Sequence, residues 1–318
     1  MKRANAIDYS AWQPLTHWHW PFPVPSSLYH GIRVASPPSL PSRDDAFFRW
    51  AFSGPEIENL ERCPTWLNLN FRDVEVLSSS RQQRAVELVN NTRLAVLIAA
   101  PVGCEDSPIL LRYEDHFTVF RRPMMKTTPW GRICGFENTS LDEIRALVRG
   151  VHRVFHARLT RMINPLYFFS LGLESTNPYI STFLWLSGLD SLLMAATRKQ
   201  FCDRLVNVFG EKAFILPRCD PGGQPNYQVG AMVEDLYTFR SVIAHGQLIP
   251  KSLLAQCAFT NDRAKVIDSY SSPTTVVDVL RECALFLFTR MLKLILAGGY
   301  LKTFENVKNW RLKLDHPI

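Results

Sequence analysis

The clearest pattern in the chain is a helical one that begins near Ser140. In "SLDEIRALVRGVHRVFHARLTRM", Ser140 precedes Glu143 by three residues, which is the spacing of an N-terminal capping box. Apolar residues then recur three and four positions apart, as on one face of a helix. These positions are Ile144, Leu147, Val148, Val151, Val154, Phe155, Leu159 and Met162. The pattern predicts a helix here, and helices dominate the chain from this point on.

Capping residues delimit the helices that follow. Asn177 and Pro178 suit the first positions of a helix that we expect to reach about Ala196, and Gly210 suits the end of the next helix, "RKQFCDRLVNVFG". Three further helices are predicted in "YQVGAMVEDLYTFRSVIAHG", "SPTTVVDVLRECALFLFTRMLKLILAGG" and "KTFENVKNWRLKL", with "LPRCDPGGQPN" as a loop. Residues 139–318 are therefore predicted to form a helical domain, in which an antiparallel bundle of four or five helices takes up about 140 residues.

The first 138 residues have a different pattern, with many prolines and aromatic residues. The short apolar runs "TRLAVLIAAPV" and "PILLRYEDHFTVFRRP", at 92–102 and 108–123, are bounded by turn residues and predict strands, and "RQQRAVELVNN" between Ser80 and Thr92 predicts a short helix. Residues 1–138 are therefore predicted to be a mixed α/β domain. With the helical bundle behind it, the expected fold class is α+β.

Composition adds few constraints. The net charge of +7 favours acidic partners such as nucleic acid without identifying one. Seven cysteines with no CxxC spacing argue against a disulfide framework and a zinc module, which favours a reducing cytoplasm. No apolar segment follows the first cations, and "CALFLFTRMLKLILAGGY" carries Arg290 and Lys293, so we expect no signal peptide and no membrane association.

Candidate chemistry is concentrated in "DLYTFRSVIAHGQ", which holds Arg240 and His245. Arg240 lies among apolar residues at helical spacing, and a buried arginine is costly unless it is paired, so we expect Asp190 or a phosphate to meet it. Residues five apart differ by about 140° in direction on a helix. The two side chains can therefore share a groove only if the helix ends near His245 or a second chain completes the site. A structural ion pair and a helix-capping histidine form the alternative explanation.

Three segments in order resemble one known family. "DLYTFRSVIAHG" is similar to the Arg-x4-His motif of HEPN domains, of the Apea-like branch in particular. "FLWLSGLDSLLMA", which holds Asp190, resembles that branch's helix with an acidic residue among leucines, and "FCDRLVNVFG" resembles its next helix. The resemblance covers about residues 175–300. Ser241 is a residue that the Apea-like branch often has at that position, where several HEPN nucleases have Asn, Asp or His.

The resemblance implies a fold, an activity and partners. Related HEPN proteins are helical bundles that dimerise so that two Arg-x4-His motifs form one cleft, and many are endoribonucleases that need no metal and no cofactor. It implies Arg240 and His245 as the catalytic pair, with Asp190 and Ser241 in support. It also implies RNA as substrate, with tRNA as one candidate, a role in anti-phage defence, and an antitoxin or a phage-derived trigger as a further partner. The first 138 residues would then sense the trigger, bind substrate or restrain the nuclease.

A second candidate surface is the basic face of the helix that begins near Ser140. Its cationic residues follow one another opposite the apolar stripe, an arrangement that suits an RNA backbone and equally a merely solvated face. The residues are Arg145, Arg149, His152, Arg153 and His156.

Two other functions remain open on the sequence. One is a HEPN module without catalytic activity, which binds RNA or nucleotide or dimerises with a partner. The other is a purely structural bundle in which Arg240 forms a salt bridge with Asp190.

Overall fold

A computed structural model describes residues 7–16, 19–73, 79–101, 108–114, 116–120, 139–215, 227–246 and 273–317. The chain divides into two compact units, Met1–Arg153 and Val154–Ile318. The first contains an antiparallel sheet and the second is mainly helical, so the α+β prediction is confirmed. The predicted loop at 216–226 lies outside the described residues.

The first unit is built on a six-stranded sheet with the order β2-β3-β4-β1-β5-β6, in which each strand runs antiparallel to its neighbours. Strands β4 and β1 are therefore central, and they pair over eight residues, from Ile7 opposite Asp73 to Pro14 opposite Trp66. The strands are β1 (Ile7–Pro14), β2 (Ser26–Tyr29), β3 (Ile32–Ala35), β4 (Trp66–Asp73), β5 (Ile109–Tyr113) and β6 (His116–Phe120).

Helices lie on both faces of this sheet. On one face, α1 (Ala46–Ala51) and α2 (Gly54–Arg62) pack on Trp66 and Leu110, with Trp12 at the edge of the same cluster. On the other face lies α3 (Ser80–Ala99), whose Asn90 accepts a hydrogen bond from Gln13 of β1. Since successive strand residues point to opposite faces, Trp12 and Gln13 mark the two sides of β1.

Helix α3 corrects one sequence prediction. Residues 92–99 continue the helix that begins at Ser80, and they do not form the predicted strand. Ala95, Val96, Leu97, Ile98 and Ala99 are all buried. A helix end that is apolar all round has no alternation between apolar and polar positions, so its sequence cannot be told from that of a buried strand. The strands predicted in 108–123 are confirmed as β5 and β6 over the described residues.

His152, on α4 (Leu141–His156), is buried in the first unit. Its ring stacks on Tyr29 at a centroid distance of 4.3 Å, and its Nε2 lies 2.8 Å from Thr92 Oγ1. The Thr92 hydroxyl donates its one proton to the Leu88 carbonyl, so Nε2 of His152 must be the donor to Thr92. Burial, with the positive charge of Arg84 and the neighbouring His30, lowers the pKa of His152 from 6.5 to about 4.

We expect His152 to make the protein sensitive to acid. The unfolded chain binds a proton at this side chain from about pH 6.5 downward and the folded chain only near pH 4, so stability is full above 6.5 and is lost as the pH falls towards 4. The difference corresponds to at most roughly 3 kcal/mol. His152→Gln keeps a donor for Thr92 and should flatten this part of the pH profile of urea unfolding. His156→Gln, on the exposed side of the same helix, is the control, and equal profiles for both variants would contradict the assignment.

The second unit is mainly helical. It contains a small hairpin of β7 (Phe214–Ile215) and β8 (Tyr227–Gln228), which the sequence did not predict. Its helices are α5 (Thr160–Glu174), α6 (Pro178–Leu193), α7 (Arg198–Phe209), α8 (Val229–Ala244), α9 (Pro273–Leu296), α10 (Leu301–Glu305) and α11 (Val307–Leu314). No single helix among the described residues is both long enough and apolar enough to cross a membrane.

The caps predicted for this unit are present, but several boundaries differ from the prediction, and α6 ends at Leu193. Asn177 accepts from the backbone N–H groups of Tyr179 and Ile180, and Gly210 ends α7 with φ +85°. The helix predicted from Ser140 stops at His156, because the backbone turns through the left-handed region at Arg158. The last predicted helix is split in two at Asn306, whose side chain caps α11.

Helix α6 packs closely on its neighbours because it contains a glycine. A methyl group at Gly188 would lie 2.3 Å from the ring of Phe288 on α9. One turn earlier on α6, Trp185 occupies the space beside Gly172 of α5 and donates to the Phe169 carbonyl. Side chains at either glycine would push the helices apart.

Gly188→Ala should therefore destabilise the second unit. Alanine favours a helix over glycine by up to about 1 kcal/mol, but overpacking a buried contact costs typically 1–3 kcal/mol. We expect a lower urea midpoint for unfolding. Gly54→Ala on α2, where a methyl group meets nothing within 4 Å, is the control. A Gly188→Ala protein as stable as the wild type would show that α6 and α9 have room to adjust.

Candidate functional site

The candidate site lies in the second unit, where helix α6 carries Asp190. The end of α6 is held in place by hydrogen bonds to its last carbonyl groups. Arg204 of α7 donates through Nη1 to the carbonyls of Leu193 and Met194, at 2.9 and 2.8 Å, and through Nε to Asp315. Trp310 donates to the Leu192 carbonyl at 2.7 Å. These contacts satisfy carbonyls that a helix end otherwise leaves without partners, and they fix the turn before them, which contains Asp190.

Helix α8 is oriented by aromatic contacts on either side of Arg240. Phe239 stacks on Tyr179 of α6, with ring centroids 6.1 Å apart, and Tyr237 packs at 5.4 Å against Phe201 of α7. Leu236, one turn earlier, is fully buried. The side chain of Arg240 therefore leaves the helix between apolar contacts, as the sequence pattern predicts.

Asp190 and Arg240 form an ion pair, which confirms that an acidic partner meets the arginine. Arg240 Nη2 donates to Asp190 Oδ2 at 2.8 Å, and the two side chains are 28% and 16% exposed. The guanidinium also lies 6.0 Å from the centre of the Tyr237 ring. Arg240 Nε is buried and has no hydrogen-bond partner among the described residues. The arginine is thus only partly satisfied inside the protein.

The electrostatics of this pair are dominated by desolvation. Burial raises the pKa of the Asp190 carboxyl group, and the charge of Arg240 opposes the rise without cancelling it. Taking a carboxylate out of water costs more here than one hydrogen-bonded arginine returns, as is common for buried pairs.

His245 ends α8 as its C-cap and is exposed. Its backbone N–H donates to the Ser241 carbonyl at 3.1 Å, and Gly246 follows with φ +67°, a conformation that suits glycine. Within the described residues, the imidazole makes no hydrogen bond to Arg240 or Asp190. The helix therefore ends where a shared groove requires it to, while Arg240 and His245 remain separate groups on one chain. Ser241 is half-buried between them.

The five residues of the predicted basic face do not share one environment. Arg149, Arg153 and His156 are exposed, whereas Arg145 is half-buried and donates to Asp142 and to the Ser27 carbonyl. The prediction that His152 contacts RNA is wrong, because this ring is buried against Tyr29 and Thr92. Helical spacing placed His152 beside the arginines but could not show that a strand covers it.

Sequence reasoning missed the structural role of Arg204, which is buried and joins α6, α7 and the segment after α11. A charged residue at an apolar helix position was the available signal. No three His, Cys, Asp or Glu side chains of the described residues lie close enough to hold a metal ion. Comparison of the chain with protein-family models, curated proteins and solved structures finds no match.

Asp190→Asn should leave the stability at neutral pH unchanged or raised, since asparagine keeps an oxygen for Arg240 and removes the costly charge. Because the folded-state pKa of Asp190 is raised, the wild type loses stability relative to this variant as the pH rises past the ordinary carboxyl range. Asp190→Ala leaves Arg240 without its partner and should cost about 1 kcal/mol. Urea unfolding at pH 3.5 and 7 measures both effects.

Glu234→Gln breaks the exposed pair with Arg198 and serves as the control, with no change expected at either pH. Equal losses for Asp190→Asn and Asp190→Ala at neutral pH would mean that the carboxylate charge itself stabilises the fold.

Proposed function

We propose that this protein is a metal-independent endoribonuclease of the HEPN type that acts as a homodimer. The observation that carries the proposal is the arrangement at the end of α8. A half-buried arginine, Arg240, paired to Asp190 from a second helix, comes five residues before an exposed histidine that caps the helix. The similarity of these helices to the Apea-like branch supports the same assignment.

The chemistry needs a phosphate ligand and a proton donor or acceptor. Arg240 presents a planar fork of N–H donors that matches a phosphate and stabilises the charge that grows on its oxygens during attack. The 28% exposure of its side chain leaves part of that fork open to a ligand, although its Nε is buried. An exposed imidazole is a common general base and general acid in enzymes, which suits His245 to either role.

In the reaction that we propose, the 2′-oxygen of a ribose attacks the adjacent phosphorus. One histidine takes the 2′-hydroxyl proton, and a second gives a proton to the 5′-oxygen as its bond to phosphorus breaks. The products carry a 2′,3′-cyclic phosphate and a 5′-hydroxyl. Since each chain supplies one His245, the histidines of two chains would share the two roles, which agrees with the large angular offset between Arg240 and His245 on one helix.

Within this proposal, Asp190 and Ser241 act as supporting residues: Asp190 orients the guanidinium, and Ser241 lies between the two catalytic groups. Exposed Arg149, Arg153 and His156 are candidates to contact the RNA backbone. RNA, including tRNA, would be the substrate, and a cytoplasmic role in anti-phage defence, with an antitoxin or a phage-derived trigger, is part of the proposal. The alternative that the ion pair favours is a bundle in which Arg240 is structural.

Purified full-length protein should cleave RNA in the presence of EDTA, and His245→Ala should lower the rate by about 10²–10⁴, the usual contribution of a general acid or base. Mapping of RNA ends measures the rate and identifies cyclic phosphate termini. His316→Ala removes another exposed histidine and should cleave as the wild type does. Equal cleavage by wild type and His245→Ala would reject this site.

A further inference from the structure

The centre of the sheet in the first unit has a cavity that the nuclease proposal does not use. It has a volume of about 470 Å³ and lies on the two central strands, where its lining residues are Asp8, Tyr9 and Ser10 of β1 and Asn70, Phe71 and Arg72 of β4. This volume is within the range of small-molecule sites, about 300–1,000 Å³. Helices α1 and α2 pack on the Trp12 and Trp66 end of this sheet face, and the cavity lies along the strands beyond that end.

Polar side chains face one another in this part of the sheet. The register pairs Asp8 with Arg72 and Ser10 with Asn70, so all four lie on the face that also carries Trp12 and Asn68. Arg72 Nε donates to Asp8 Oδ1 at 2.7 Å in an exposed pair. Polar side chains in the middle of a sheet form no core, and here they border an open cavity.

A chain of hydrogen bonds fixes which way the Asn70 amide points. Arg33 on β3 can only donate, and its Nε lies 3.0 Å from Asn68 Oδ1, so the oxygen of this fully buried asparagine must face the arginine. The Asn68 Nδ2 group then points to Asn70, whose Oδ1 accepts it at 3.3 Å. The Asn70 NH2 group is left over as a pair of donors with no partner among the described residues.

The direction of hydrogen bonding at the Ser10 hydroxyl is fixed in the same way. The Trp12 indole can only donate, and its Nε1 lies 2.8 Å from Ser10 Oγ. The serine oxygen therefore accepts, and its own proton remains free to donate, with no other described partner. Arg72 likewise keeps the N–H groups of its terminal nitrogens. Two donor-only residues outside the cavity, Arg33 and Trp12, thus leave donors at Asn70 and Ser10, and Arg72 adds its own donors beside them.

The free groups at the cavity favour an anion. A phosphate has several terminal oxygens, each of which accepts hydrogen bonds, and arginine binds it strongly. Arg112, opposite Ser10 on β5, adds positive charge to the same face. The remaining oxygen of Asp8 can accept a hydroxyl group of the same ligand. We propose that this cavity binds a small phosphorylated ligand of up to mononucleotide size, with its phosphate on Ser10, Asn70 and Arg72 and a hydroxyl group on Asp8.

Isothermal titration of the full-length protein with AMP, adenosine and inorganic phosphate tests the proposal. AMP should bind at least tenfold more tightly than adenosine. If inorganic phosphate binds as tightly as AMP, the ligand that the site recognises is free phosphate. The absence of binding by both AMP and phosphate, or equal binding of AMP and adenosine, would overturn the proposal.

Variants identify the site. Asn70→Asp replaces the two donors by an acceptor on an exposed side chain and should weaken AMP at least tenfold. Gln83→Glu adds the same charge on an exposed position of α3, the helix on the opposite face, and should bind as the wild type does. Unchanged binding by Asn70→Asp would reject this cavity.

Two further variants test separately the series of hydrogen bonds from Arg33 to Asn70 and the proposed nuclease site. Arg33→Met removes the residue that orients Asn68, so AMP should bind several-fold more weakly although Asn70 is intact. Arg240→Ala should leave the sheet cavity unaffected. AMP binding that is lost in Arg240→Ala and kept in Asn70→Asp would mean that AMP occupies the helical bundle, which overturns this proposal and supports a phosphate site at Arg240.

Discussion

The last turn of helix α6 depends on partners for its carbonyl groups, and the candidate site depends on that turn. A buried carbonyl without a donor costs about 1–3 kcal/mol. Arg204 and Trp310 supply donors to Leu192, Leu193 and Met194, and both come from later parts of the chain. Helix α7, which carries Arg204, and the short helix α11, which carries Trp310, are therefore needed to complete α6. Asp190 lies within this fixed turn, so its distance to Arg240 follows from contacts that touch neither residue.

The ion pair between Asp190 and Arg240 is positioned by the packing around it and adds little to the stability of the fold. Because burial raises the pKa of Asp190 in spite of the arginine, the pair stabilises the bundle little, and its location reflects packing of α6 against α8. Such a pair is well suited to a ligand site. A phosphate that approached Arg240 would find a guanidinium that is already partly desolvated and is oriented by Asp190, so less of its binding energy would be used to order the side chain. The same features would also occur in a structural pair, and the exposed His245 at the end of the same helix is the feature that supports the nuclease proposal.

The parts of the fold that sequence predicts are those set by neighbouring residues. Asn177, Gly210 and Gly246 act through their own backbone or through groups two or three residues away, so the start of α6 and the ends of α7 and α8 could be inferred. The end of α3 could not, because its burial on every side comes from the sheet. The prediction that His152 contacts RNA was wrong for the same reason. Its spacing belongs to the basic face, whereas its surroundings are set by Tyr29 and Thr92, which are 123 and 60 residues away. Asp190 could be named in advance as one of two candidate partners of Arg240, the other being a phosphate, because a buried arginine has few acceptable partners.

Hydrogen-bond direction is information that the sequence does not contain and the sheet supplies. The sequence does not show how the side-chain amides of Asn68 and Asn70 are oriented, because each of them can both donate and accept. The strand register places Arg33 beside Asn68. Since arginine never accepts a hydrogen bond, the orientation of the Asn68 amide is fixed, and it fixes that of the Asn70 amide in turn. Trp12 does the same for Ser10. Polar side chains on a sheet face would otherwise adapt to donors and acceptors alike. With both of its neutral groups turned to donate, the proposed site favours a ligand that accepts hydrogen bonds, and this preference is set by side chains that the ligand would not touch.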